Sequence, residues 1–387
     1  MLSLNKIRLS RRTLGQCMKL STKPQLLIEK REDVNQDEKK QVSVYKKESN
    51  FISKTLLAKE LKESIVLNDS KLSGLVAINK PYGLSVLPSE TDNVSLTCAL
   101  PELASLLDVP EISVIKSSGK FISGVTLLST KGKKTTDHIK KCLNRNRSNQ
   151  KITAKYLAIT NGIPKTFGAL ETVDMALETI STKESIKGGV CKEPVIYKEL
   201  FSQTKLRQAK EYRKNKNPEP KQIRRVSVVT DLLARSRGNS TALVSIQPNS
   251  TDWNFICVYL AHLLAPIIGD SLFSYRVKTV FGKATKVDHR NSPIGYVPNY
   301  LPREILGDLG ITASDEMHLP LHLHHFRTHL SGFEGNKGLN IYAPLPKYFD
   351  QSMKSLKISL DINELESSDS ISDYKSVKSK SDGKNNT

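Results

Sequence analysis

From residue 51 onward, apolar and polar positions fall into short blocks with readable periods. "FISKTLLAKELKESIVLN" (51–68) carries apolar residues at helical spacing. "GLVAINKPYGLSVLPS" (74–89) predicts a strand that breaks at Lys80-Pro81, a turn forced by Pro81 and Gly83, and extended chain again from Val86. "SLTCALPELASLLD" (95–108) is helical in pattern, with Pro101 expected to interrupt it. "SGVTLLST" (123–130) is a β-branched strand, and "KKTTDHIKKCLNRNR" (133–147) a basic helix with Ile139 and Leu143 inward. "ITAKYLAITNGIP" (152–164) alternates as a strand does and ends in a Gly-Pro turn.

Further strands are predicted at 226–234 and 241–247, and a largely apolar helix over "WNFICVYLAHLLA" (253–265). The last core segments are "LPLHLHHFRTHLSGF" and "NIYAPLPKYF". Between them, "QTKLRQAKEYRKNKNPEPKQIRR" (203–225) holds nine basic and two acidic residues and reads as a flexible loop. Strands interleaved with helices, plus hairpin-like pairs, predict an α+β fold rather than a strictly parallel doubly wound sheet. There is no internal repeat. The organisation expected is a targeting segment at 1–24, a charged linker at 25–50, a folded domain at 51–350 and a disordered tail at 351–387, where Ser, Asp and Lys displace aromatics.

Charge changes the picture more than composition does. The net charge is +20, which points to a polyanionic partner, RNA or DNA before a membrane surface. No run of apolar residues is long enough to span a bilayer. Five scattered cysteines without a CxxC indicate neither a zinc framework nor a disulfide scaffold, and a reducing compartment fits them. "MLSLNKIRLSRRTLGQCMKLSTKP" has six Lys or Arg and no acid, the make-up of a mitochondrial transit peptide; its removal would still leave +14. The location expected is the mitochondrial matrix.

Five pieces of sequence, in order, then point one way. "LVAINKPYGLSVLPS", "ISGVTLLS" (122–129), "AKYLAITNGIP" (154–164), "CVYLAHLLAPIIGDSLF" (257–273) and the closing "LPLHLHHFRTHL" with "APLP" resemble the successive motifs of the RluA-type pseudouridine synthases. The resemblance covers roughly 74–349. It implies the catalytic-domain fold of that family: a mixed, largely antiparallel sheet in two halves with a central cleft. It also implies a uridine flipped out of RNA, detached and rejoined through carbon, with no cofactor. In the family an aspartate is the nucleophile, an arginine pairs with it, and a tyrosine stacks on the base.

Carried over residue by residue, the resemblance puts the tyrosine at Tyr156. The aspartate lies five residues before the glycine that matches Gly124, which makes it Gly119. A slip of one residue would give Ser118 or Lys120, neither acidic, and no acid lies between Glu111 and Asp137. The active-site arginine falls on Cys257, and the family's "T-G-R" becomes Ser250-Thr251-Asp252. Losing one partner of a buried ion pair strands the other at about 3–5 kcal/mol, whereas losing both leaves a neutral, mostly apolar pocket. The paired loss therefore implies a site released from catalysis.

Three readings remain open. The first is a mitochondrial RNA-binding pseudoenzyme acting on ribosomal or messenger RNA, with mitoribosome assembly factors as possible partners. The second is a working pseudouridine synthase with a relocated acid, for which Asp252 is the candidate; the bland alternative for Asp252 is a helix cap. The third is a protein-docking pseudoenzyme. Phosphate contacts are expected from Lys131, Lys133, Lys134, Lys140, Lys141, Arg145 and Arg147 on the basic helix, and from Arg207 and Arg213 in the basic loop; a solvated face is the plain alternative. The histidines at 318, 322, 324, 325 and 329 invite a metal reading, but they alternate with leucines and lack HExxH or cysteine partners, so no metal is expected.

Overall fold

The computed structural model describes residues 53–70, 73–89, 94–148, 151–181, 190–196, 223–288, 301–333 and 338–360. The expected targeting segment and linker, most of the basic loop, and the tail beyond 360 lie outside these residues. The fold is α+β, as the alternation of patterns predicts.

Six helices are described: α1 (Lys54–Glu63), α2 (Leu96–Leu106), α3 (Gly132–Ser148), α4 (Phe255–His262), α5 (Arg303–Leu309) and α6 (Lys347–Ser355). The first strands are β1 (Ile65–Asp69), β2 (Leu75–Lys80), β3 (Ser113–Lys116), β4 (Ser123–Ser129) and β5 (Ala154–Asn161). Four more follow: β6 (Leu170–Ser181), β7 (Val190–Ile196), β8 (Ile223–Arg235) and β9 (Thr241–Pro248). A short hairpin, β10 (Val277–Val280) and β11 (Lys283–Lys286), precedes the closing β12 (Leu323–Leu330) and β13 (Leu339–Tyr342).

Eleven strands form one mixed sheet in the order β1-β2-β4-β12-β5-β9-β8-β6-β7, with β3 added to β4 and β13 to β12. Every pairing is antiparallel except β4 with β12. That parallel join is short: only Ser123 with His324 and Gly124 with His325. Beyond it the two strands part, and β3 pairs the remainder of β4 while β13 pairs the remainder of β12. The sheet therefore forks, and the fork divides it into two halves.

Each half is packed on both faces. Val76, Ile78 and Leu128 bury one face of the first half against α1 and α2, while Leu75, Ala77, Val125 and Leu127 meet Ile139 of α3 on the other. In the second half Tyr156, Ala158, Val244 and Ile246 lie with α4; Leu157, Ile159 and Leu243 lie with α5 and α6. The two-residue period sends neighbours to opposite faces, yet both faces are buried. For β5 this replaces the expected exposed alternation: Ala154 to Thr160 are all buried.

Four local expectations are corrected. The helix expected over 51–68 ends at Glu63, and the β-branched Ile65-Val66 begin β1. Val86 does not resume a strand. Pro101 sits inside an unbroken α2, held by the burial of Leu96, Ala99, Leu100, Leu103 and Ala104 on one stripe. Packed structure also continues past 351, where Met353, Leu356 and Ile358 are buried beside Phe349.

Candidate active site at the sheet fork

The segment joining β3 to β4, Ser117–Ile122, lies at the fork. Lys80 anchors it. At the end of β2 this lysine is fully buried, and its Nζ donates to the carbonyls of Leu84 (3.1 Å), Pro81 (3.2 Å) and Lys120 (3.3 Å). The Gly83 amide donates to the same Lys120 carbonyl at 2.9 Å. Burial pulls the Lys80 ammonium down to about 7, while three carbonyl acceptors match the three N–H of its charged form. The Pro-Gly turn and the Ser117–Ile122 loop are thus one unit. Sequence reading treated Lys80 only as a strand end; a charged side chain closing an apolar strand was the signal available.

Gly119 lies exposed on that loop, and a Cβ built there would meet nothing within 4 Å. Beside it, the Ser118 hydroxyl lies 3.4 Å from His325 Nδ1. Tyr156 is 2% exposed with its phenol beside the hydroxyls of Ser118 and Thr251; burial pushes that phenol up to about 12. One face of the Tyr156 ring is stacked on His325, with centroids 4.4 Å apart and planes 14° from parallel. His325 Nε2 in turn lies 2.9 Å from Thr328 Oγ1. The structure thus brings the loop of Gly119, Tyr156 and the 250–252 segment together, with hydroxyls where those parts touch.

Close packing explains the backbone here. At Gly124, φ is +112°, and an added Cβ would lie 2.2 Å from the carbonyl oxygen of His325 across the parallel join. Only glycine lets β4 and β12 approach.

Cys257, on α4, is buried in the same cluster as Tyr156. Burial, then the nearby Asp270 carboxylate, raises its thiol well above the usual range. Asp270 corrects the expectation of a neutral pocket. It is 3% exposed; its Oδ1 accepts from the Leu272 and Phe273 amides, each at 3.0 Å, and its Oδ2 is buried without a hydrogen-bond partner. Burial pushes this carboxyl up to about 6. Sequence reading included Asp270 only within the matched stretch "CVYLAHLLAPIIGDSLF" and gave it no role.

Asp252 is half-buried and forms an ion pair with Arg224 at the start of β8, not the plain helix cap weighed from sequence. The Arg224 guanidinium also sits over the Trp253 ring, 4.5 Å from its centroid. Trp253 and Asn254 both have positive φ, 59° and 53°. Arg224 had been read as part of the flexible loop, which hid this contact.

On α3, Lys133, Lys140, Lys141 and Arg145 are exposed, as is Lys131 just before the helix. Lys134 and Arg147 belong to the same helix; Arg207 and Arg213 lie outside the described residues. The histidines are used singly. His324 contacts Ser123 Oγ (2.9 Å) and donates from Nε2 to the Ala343 carbonyl (3.0 Å), and His322 lies 2.7 Å from Ser352 Oγ. Among the described residues no group of three or more His, Cys, Asp or Glu could hold a metal ion, and no helix is long and apolar enough to cross a membrane.

Comparison with known proteins agrees with this layout. No family model matches the chain. The mitochondrial mRNA pseudouridine synthase RPUSD3 of Bos taurus is 31% identical over 296 residues, 74% of this chain and 76% of that protein. The Homo sapiens protein of the same name is 31% identical over 294 residues, 74% of each chain. The Danio rerio mitochondrial pseudouridylate synthase RPUSD4 is 26% identical over 80% of this chain and 78% of its own. The solved structure of human RNA Pseudouridylate Synthase Domain Containing 4 superposes with a TM-score of 0.56, covering 80% of this chain and 99% of that one at 24% identity, and so shares the fold. With a forked sheet, motifs in family order and relatives at this identity over three quarters of its length, the chain belongs to the RluA-type pseudouridine synthases, the family of RPUSD3 and RPUSD4.

Proposed function

We propose that this protein binds RNA in the mitochondrial matrix and no longer isomerises uridine. One observation carries the reading: where the motif resemblance puts the nucleophile stands Gly119, an exposed glycine with open space around it, and where it puts the arginine stands the buried thiol of Cys257. Gly119 has no side chain and burial keeps the Cys257 thiol protonated, so neither position supplies a carboxylate nucleophile; loss of a nucleophile removes about four decades of rate even where binding survives. The exposed bases of α3 and the net charge of +20 supply attraction for phosphates. Relatives named as mitochondrial mRNA pseudouridine synthases support mitochondrial RNA as the class of partner, with messenger RNA and ribosomal RNA the two candidates. His325 covers one face of the Tyr156 ring, so a base would stack on the other face once its buried ring is uncovered.

A second reading rests on Asp252. This carboxylate opposes Arg224, and its neighbour Thr251 touches the Tyr156 hydroxyl, so a charged couple stands close to the family site in new positions. Tritium release separates the two readings. Joining the base through carbon expels the hydrogen at that carbon, so RNA labelled at uridine C5 reports turnover directly. The expected result is RNA binding without tritium release. Release by the wild-type protein that is lost in Asp252→Asn would overturn the first reading and establish the second. Absence of binding to any RNA would remove both.

A further inference from the structure

The β10–β11 hairpin stands apart from the main sheet and carries "VKTVFGKATK", three lysines and no acid. Its register pairs Val280 with Lys283, leaving Phe281-Gly282 as a two-residue turn. Both turn residues have positive φ, 48° and 73°, the geometry in which Asn-Gly is favoured and a bulky side chain is strained. Phe281 nevertheless occupies it and is 100% exposed. A strained, fully exposed aromatic with no contact among the described residues gains nothing for the fold. Lys278 and Lys283 are exposed on the same ribbon.

The root of the hairpin ties it to the fork site. The Val287 amide donates to the Arg276 carbonyl at 2.8 Å. Arg276 acts on Asp270, which acts on Cys257. Arg276 also bonds Glu193 Oε2 (3.0 Å) and the Pro194 carbonyl (2.9 Å), fixing the ribbon to β7. Lys286 Nζ lies 3.3 Å from His262 Nδ1 at the end of α4.

We propose that this hairpin is a stacking finger for RNA: Phe281 packs against unpaired bases while Lys278 and Lys283 meet the flanking phosphates. An aromatic tip on a basic, acid-free ribbon suits bases and phosphates together. The proposal rests on the RNA-binding reading above and specifies a contact that reading does not contain.

The test uses the full chain, fluorescence anisotropy, and two probes: an oligouridine of about 20 nucleotides and a stem–loop RNA with an unpaired loop. Phe281→Ala is expected to weaken oligouridine binding about tenfold without changing its salt dependence. Phe281→Asn should lose the same affinity while raising Tm, because asparagine suits the turn. The double change Lys278→Ala with Lys283→Ala should flatten the log–log salt slope by about 1.4. Wild-type binding with Phe281→Ala unchanged overturns the finger alone and directs the tip to a protein instead. Wild-type binding to neither probe overturns the RNA reading and the finger with it.

Discussion

Gly119 and Gly124 are five residues apart and opposite in what they tolerate. Gly119 has no atom within 4 Å of a built Cβ, so Gly119→Asp should fold with Tm within about 2 °C of wild type, a surface substitution. Gly124 has φ +112° and a backbone oxygen 2.2 Å from where a Cβ would stand. Gly124→Ala should therefore cost several kcal/mol, about 3 or more, or abolish soluble expression. Chemical denaturation of the two variants side by side checks both. The same contrast shows how far the residues could be read. Counting from a motif reaches Gly119, which lies on the fork loop, and Cys257, which lies on α4, because spacing within a strand or turn is local. It could not reveal that His325 covers Tyr156 or that Asp252 holds Arg224. Those contacts join residues 169 and 28 positions apart, and nothing local encodes them.

At the scale of elements, the turn 81–84 and the loop 117–122 behave as one piece because Lys80 joins them. Lys80→Met keeps most of the buried stem but leaves the Leu84, Pro81 and Lys120 carbonyls without their shared donor. The expected outcome is a loss of about 2–4 kcal/mol and faster amide exchange confined to 81–84 and 117–122; exchange spread evenly over the sheet would contradict it. Elements with a strong period were legible from sequence: β2, β4, β8, β9, α3 and β12 fall where the pattern puts them. The α1 helix was overextended because Ile65 and Val66 continue an apolar spacing that a strand also satisfies. Pro101 misled because local propensity was outweighed by burial of five residues on one stripe of α2. The helix α6 was lost to a compositional shift, although Phe349 and Met353 stand four apart on its inward side.

For the whole molecule, buried titratable groups set the response to pH. Burial pulls His322 and His324 down to about 4 from 6.5. The unfolded chain thus binds protons between those limits that the native state refuses. Stability from this pair is full above 6.5 and lost as pH falls toward 4, about 3 kcal/mol for each ring. Asp270 opposes them. Its folded value of about 6 lies above 3.8, so its ionisation removes stability as pH rises through that window, again about 3 kcal/mol. Glu316, pushed by burial up to about 7, opposes them as well, while His325, pulled well below 6.5, adds to them, so three imidazoles against two carboxyls leave denaturation midpoints falling on acidification; Asp270→Asn should be more stable than wild type near pH 7 but not near pH 4. A wild-type protein insensitive to pH would show that these groups are hydrated.

The fork also has a consequence for how the chain is made. β12, residues 323–330, is the strand inserted between β4 and β5, which are complete by residue 161. A ribosome releases the first half with the β5 border and the Ser123–Gly124 end of β4 unpaired, since β3 already covers the rest of β4, and more than a hundred further residues must emerge before their shared neighbour arrives. Open strand borders invite pairing with other chains. Nascent protein therefore passes through a sticky interval that a chaperone must cover, and a premature stop anywhere before residue 323 would make that interval permanent.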